Sequence, residues 1–323
     1  MLILVLMGLA SAAGLWVFMR LAPRLGLVDR PNYRSLHTAP TAVGGGVVPV
    51  VLIAGYLLVF APMSGAHGVA WLLLILGAIG LSDDKWGLPS GPRFVSYLLA
   101  GIALTWLLIP VAQPVSFTAL IGLLALGVSV AWCINLFNFM DGADGFATVQ
   151  LLCVSLGMGL IGKFGSFNAE ALVWCSGALL SCTLPVLFFN WPPARLFLGD
   201  AGAIPLGLFL AVLGVLAGSA DASLGAAWFI LMMPFLIDSG VTLCWRLLSG
   251  DPPHMAHRDH AYQRLVLRIG SPLPVTLGLM ALQTAWQFPL AMTAAYSELF
   301  PSLLVLLSAI PSLLILVYSR LTQ

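Results

Sequence analysis

The 323-residue chain is poor in charge: only 8% of its residues are Asp, Glu, Lys or Arg, and 60% are hydrophobic. With a mean hydropathy of +1.04 it has too little polar side chain to cover a globule in water. Thirteen Lys and Arg against twelve Asp and Glu leave a net charge of +1, which excludes a generally basic surface for nucleic acid. Cysteine is scarce as well. Cys133, Cys153, Cys175, Cys182 and Cys244 fall within or beside apolar runs and form no CxxC pair. They read as small core residues rather than disulfides or zinc ligands. The alternating short strands of a transmembrane barrel are missing. So are an obvious internal repeat and an appended soluble domain. Residues 1–19 are apolar like a signal peptide but lack a basic start and a clear cleavage site, so a retained first helix is expected.

What the chain does have is apolar runs, most of them long enough to cross a bilayer as helices of about 20 residues. Backbone groups in lipid must be satisfied within the segment. The expectation is therefore an all-α polytopic membrane protein, one integral-membrane domain over residues 1–323. About 11 spans are expected, with bounds loose by a few residues, near 2–19, 43–62, 68–82, 95–112, 118–137, 146–162, 170–189, 202–219, 224–243, 273–296 and 300–318. Placing the loops after spans one, three, five, seven and nine on one side, with the C-terminal tail, gathers twelve of the 13 Lys and Arg there; Lys163 falls on the other. The positive-inside rule makes that side cytoplasmic, with the N-terminus outside and the C-terminus inside. Most carboxylates share it; Asp221, Glu298 and Glu170 fall on the outer side, and Asp238 stands apart from the loops, near the inner end of span nine.

Five polar clusters stand on that rim. "RSLHTAPTAVGGG" (34–46) offers His37 as a candidate substrate contact, and glycines that permit close backbone approach. A flexible turn with tight helix packing is the preferred account of those glycines. "SDDKWG" (82–87) sets Asp83 beside Asp84 at a helix C-terminus, where the dipole disfavours anions, so a divalent cation or a base is expected there. "NLFNFMDGADGFA" supplies Asn135, Asn138, Asp141 and Asp144. Its glycines favour a bent segment over a helix, and its oxygens suit Mg²⁺ with substrate phosphates. In "FNWPPARLFLGDAGA" (189–203), Asp200 either caps span eight or helps that helix end face a phosphate, and Phe197 can stack on a base. "DPPHMAHRDHAYQRLVLR" (251–268) mixes histidines with arginines and reads as a polyanion clamp. His254, His257 and His260 at spacing three would suit Zn²⁺, but no cysteine joins them and the arginines oppose a cation.

Asp83–Asp84, "NxxNxxDGxDG" at 135–145, "FLGDAG" at 197–202 and "HRDH" at 257–260 occur in one order across nearly the whole chain. In this the sequence resembles the polyprenyl-phosphate N-acetylhexosamine-1-phosphate transferases, the family of the WecA-like and MraY-like enzymes. The "HRDHAYQRL" form is most similar to the WbpL-like branch that initiates O-antigen. The peptidoglycan branch carries three histidines where this chain has Asp259. The resemblance implies transfer of N-acetylhexosamine-1-phosphate from a UDP-sugar to undecaprenyl phosphate, with release of UMP. It implies a bacterial inner (cytoplasmic) membrane enzyme working on the cytoplasmic face with Mg²⁺, or Mn²⁺ in its place. By position, Asp200 and Asp84 are the implied metal ligands. Asp83, Asp84, Asp141 and Asp144 are implied in catalysis. Asn138, Asn190, Phe197, His257, Arg258 and His260 are implied in substrate binding, with Lys85 and Arg93 as phosphate contacts. Implied partners are the UDP-N-acetylhexosamine, undecaprenyl phosphate and the lipid bilayer, with a homodimer left open. The rival reading is a transporter of a nucleotide sugar or lipid-linked intermediate, which would hold its polar groups at the bilayer midplane on broken helices.

Overall fold

The computed structural model describes residues 1–31, 35–110, 116–251, 257–297 and 300–321. Arg34, His254 and Glu298 lie outside the described residues. The apolar runs form helices α1 (Leu2–Leu21), α2 (Val47–Phe60), α3 (Ala66–Trp86), α4 (Ser90–Leu108), α5 (Phe117–Phe139), α6 (Phe146–Phe164) and α7 (Glu170–Asn190). After these come α8 (Asp200–Ala220), α9 (Ala222–Leu248), α10 (Ala261–Ile269), α11 (Pro272–Leu282), α12 (Phe288–Tyr296) and α13 (Pro301–Leu321). Among the described residues nine helices are long and apolar enough to cross a membrane. The short third run extends to a 21-residue helix.

Two expected spans take another form. The second is a helix of 14 residues, because Gly44, Gly45 and Gly46 pack against the chain ahead of it. Gly45 and Gly46 donate N–H bonds to the carbonyls of Phe197 and Leu198 (3.0 and 2.9 Å). A Cβ on Gly46 would fall onto Gly202. These glycines pack tightly against the segment that leads into α8. The tenth span is interrupted by a π turn over Gln283–Gln287. Pro289 has no N–H to return to the ladder there. The sequence reading also missed α10, and a two-residue antiparallel pair, β1 (Val28–Asp29) with β2 (Thr41–Ala42).

α8 is apolar all round and buried from Ala201 to Val212, the signature of an enclosed helix. α1, α4 and α13 instead leave Leu9, Leu99 and Leu306 among many exposed apolar side chains, a surface that demands lipid rather than water. The helices alternate in direction. α1, α3, α5, α7 and α9 end, and α2, α4, α6 and α8 begin, at one end of the bundle. Lys163 closes α6 at the other end.

Candidate active site

At the end where the helices turn, a cavity of about 1230 Å³ opens. Its acidic wall begins on α3. Gly77, Gly80 and Asp84 follow one another at spacings of three and four, so they share a face. Gly80 has no room for a Cβ, because the Asp200 backbone occupies that space. Such close approach brings Asp84 to the start of α8, whose N-cap Gly199 has no side chain to offer. Asp84 accepts the N–H groups of Asp200 (2.9 Å) and Ala201 (3.0 Å). It therefore caps α8 from a neighbouring helix. This corrects two expectations. The dipole penalty at the end of α3 is offset by the opposite dipole at the start of α8. Asp200 does not cap its own helix; its carboxylate turns to Arg93, at 2.6 Å. Asp83 accepts from the Leu88 N–H and from the same Arg93 guanidinium.

The segment after α5 is bent, as its glycines suggest. Asp141 and Asp144 lie between α5 and α6, and with Asn138 they line the cavity. Burial, then the charges of Asp84 and Asp144, push the Asp141 carboxyl well above the usual carboxylate range. Burial also raises Asp144, although the Ala194 N–H donates to it at 2.9 Å. Asn190 reaches the wall, but its amide works inside the protein. Its Oδ1 accepts from Gly145 N (3.0 Å) and Thr148 Oγ1 (2.9 Å), and its Nδ2 donates to the Leu196 carbonyl (3.2 Å). Three of its four hydrogen-bonding positions are thus spent tying the two loops together.

Opposite chemistry comes from the loop before α10. His257 and His260 line the cavity. The Asp259 N–H donates to Nδ1 of His257 (3.3 Å), so Nε2 carries that ring's proton. Burial, then His260 and Arg246, hold the His257 ring down to about 4. It offers an N–H rather than a charge at neutral pH. Asp259 is held by Arg246 and by Arg264, the latter at 3.7 Å, so these arginines brace the loop. Asp238, the exception in the charge map, accepts the N–H groups of Ala261 (2.8 Å) and Tyr262 (3.1 Å) and caps α10 from α9. Sequence reading gave neither Asp238 nor Tyr262 a role in the site. The lone charge inside a span was the signal for the first; nothing marked the second.

His37 and Phe197 both line the cavity and meet edge to face at 4.9 Å. Lys85 is exposed over the Trp86 ring, 5.1 Å from its centroid, and neither it nor Arg258 is part of the cavity wall.

Residues 66–218 match the family model of glycosyl transferase family 4. A decaprenyl-phosphate N-acetylglucosaminephosphotransferase of Mycolicibacterium smegmatis is 31% identical over 325 residues, covering 82% of this chain and 78% of its own. The chain belongs to glycosyl transferase family 4. Two further relatives span the family 4 chain to a similar extent. A probable undecaprenyl-phosphate N-acetylglucosaminyl 1-phosphate transferase of Bacillus subtilis is 26% identical, covering 76% of this chain and 72% of its own. An undecaprenyl-phosphate alpha-N-acetylglucosaminyl 1-phosphate transferase of Yersinia pestis is 28% identical, covering 81% and 75%. The matched family 4 segment runs from α3 to α8 and so contains Asp83, Asp84, Asp141, Asp144 and Asp200 of the cavity wall.

Proposed function

We propose that this membrane protein transfers N-acetylhexosamine-1-phosphate from a UDP-sugar to undecaprenyl phosphate, releasing UMP, on the cytoplasmic face of a bacterial inner membrane. One observation carries the reading: the carboxylates of three loops and the histidines of a fourth converge on one cavity where the helices of a membrane bundle turn. The names of the relatives support a polyprenyl-phosphate acceptor and an N-acetylglucosamine-type donor. Asp259 in the histidine loop supports a first step of O-antigen or another surface polysaccharide.

A divalent cation fits the donor set. Asp83 and Asp200 already share one cation, the Arg93 guanidinium. Each Asp84 oxygen accepts one N–H and keeps a second lone pair. Among the described residues no trio of Asp, Glu, His or Cys is arranged to hold a metal. Mg²⁺ commonly takes one or two carboxylates and completes its shell with water and substrate phosphates. Asp200, with Asp84, would hold it, and it would neutralise the diphosphate.

The chain's own groups do the rest. Asp141, with its raised proton affinity, accepts the proton of the lipid phosphate. The freed phosphate oxygen bonds to the β-phosphorus as the bond from that phosphorus to the bridging oxygen of UMP breaks. His257 donates its Nε2–H to the sugar-diphosphate, and Phe197 stacks on uracil. A single displacement inverts configuration at phosphorus; retention would instead indicate an aspartyl-phosphate intermediate.

Purified protein given undecaprenyl phosphate, Mg²⁺ and a panel of UDP-N-acetylglucosamine, UDP-N-acetylfucosamine and UDP-N-acetylquinovosamine should release UMP only when lipid is present. Asp200→Asn should abolish release while the protein stays folded. Absence of UMP with every donor would favour the transporter.

A further inference from the structure

Charge balance on the cavity wall points to a role for one residue, Arg93. Asp29, Asp83, Asp84, Asp141, Asp144 and Asp200 all face the cavity. Among the described residues of that wall, Arg93 is the one side chain with a permanent positive charge. It sits in the first turn of α4, where the helix dipole disfavours a cation. What holds it is the carboxylate pair. One guanidinium nitrogen donates both to Asp83 and to Asp200, the second at 2.6 Å. Its Nε is buried without a hydrogen-bond partner, so the fork is not saturated. A diphosphate and a lipid phosphate must both enter this anionic cavity, and one guanidinium cannot offset both the aspartates and the phosphates.

We propose that Arg93 is the resident counter-ion of the Asp83–Asp200 pair, displaced when a divalent cation binds Asp200 and then transferred to the phosphate oxygens of the donor. The proposal rests on the sugar-phosphate transfer above. It has a specific consequence. In the empty enzyme Arg93 competes with the metal for Asp200, so the cation binds weakly alone and tightly with the diphosphate, whose oxygens give the guanidinium a new partner. Arg93 thus couples metal binding to donor binding and keeps the carboxylates paired between turnovers. A lysine in its place keeps the charge but not the planar fork that matches two carboxylates or two phosphate oxygens.

Mn²⁺ binding to the full-length protein in lipid nanodiscs, followed by electron paramagnetic resonance without substrate, tests this directly. Arg93→Ala should bind Mn²⁺ at least tenfold more tightly than wild type, Arg93→Lys should fall between, and Asp200→Asn should lose the site. Unchanged or weaker binding in Arg93→Ala, with Asp200→Asn still losing it, would overturn the counter-ion role and leave the transferase reading intact. Binding indifferent to Asp200→Asn would instead remove the metal from that reading. A second measurement needs no variant. Phenylglyoxal labelling of Arg93 in wild type, mapped by mass spectrometry, should rise when Mn²⁺ is added and fall again when UDP follows. Labelling that ignores Mn²⁺ would also overturn the proposal.

Discussion

Asp141 and His257 face the same cavity, and their surroundings drive both toward their neutral forms. For Asp141 the causes are burial and the charges of Asp84 and Asp144. A carboxyl so placed keeps its proton to higher pH than an ordinary aspartate. If its ionised form accepts the lipid phosphate proton, kcat/KM should rise with pH along a limb above the usual carboxylate range. Asp141→Asn should remove that limb and cost about 10²- to 10⁴-fold in rate. A pH–rate profile with the limb intact in the variant would exclude Asp141 as the base. For His257 the sign is opposite. Its ring is held near 4 against 6.5 in the unfolded chain. Between those values the unfolded chain binds a proton that the native state refuses, so stability falls as pH drops through that window and is untouched above it. The melting temperature of wild type should therefore decline more steeply from pH 7 to pH 5 than that of His257→Gln. Parallel declines would place the ring in a more solvated setting.

The element scale shows a device used twice: an aspartate on one helix caps another. Asp84 of α3 serves α8, and Asp238 of α9 serves α10. Removing Asp238 as Ala would strand two N–H groups, a cost of about 1–3 kcal/mol each where they are buried. Hydrogen exchange should rise across 257–269 and KM for the donor should increase, while exchange in α3 and α8 stays unchanged. Close packing makes the first cap possible. Gly80→Ala would drive a Cβ into the Asp200 backbone, with a penalty of about 1–3 kcal/mol and loss of activity. Gly55→Ala on α2 meets open space and should raise stability by about 0.5–1 kcal/mol; thermal melts of the two variants distinguish them. These contacts also mark where sequence reading stopped. Long apolar runs and the clustering of Asp83, Asp141 and Asp200 were legible, because hydrophobic length and loop position are local properties. That Asp84 spends its oxygens on α8, or Asn190 on the Gly145 loop, was not, because a cap in trans has no fixed spacing. α10 was hidden by the charged loop that contains it, since the arginines and histidines masked its apolar positions.

At the scale of the whole molecule, alternating helix direction delivers the loops that carry Asp83, Asp84, Asp141, Asp144 and Asp200 to one end, and the cationic side chains mark the level of that end. Arg20 lies over Trp16 (3.4 Å), Arg195 over Phe188 (4.9 Å), Arg268 over Tyr318 (5.1 Å) and Arg320 over Trp245 (4.6 Å). Aromatic rings with guanidinium partners favour the headgroup layer, where the ring meets acyl chains and the cation meets phosphate and water. On the proposed function, the cavity would open at the depth of a lipid phosphate, where a water-soluble donor can also reach it. Lys163 at the far end of α6 gives the opposite reference point. If the cavity faces the cytoplasm, a membrane-impermeant maleimide should label Lys85→Cys only in inverted vesicles and Lys163→Cys only in intact cells. The background for both is a chain in which Cys244, exposed in the native protein, is replaced by Ser. Labelling of both positions from the same side would break the helix alternation, and with it the gathering of Asp83, Asp141 and Asp200 on a single face.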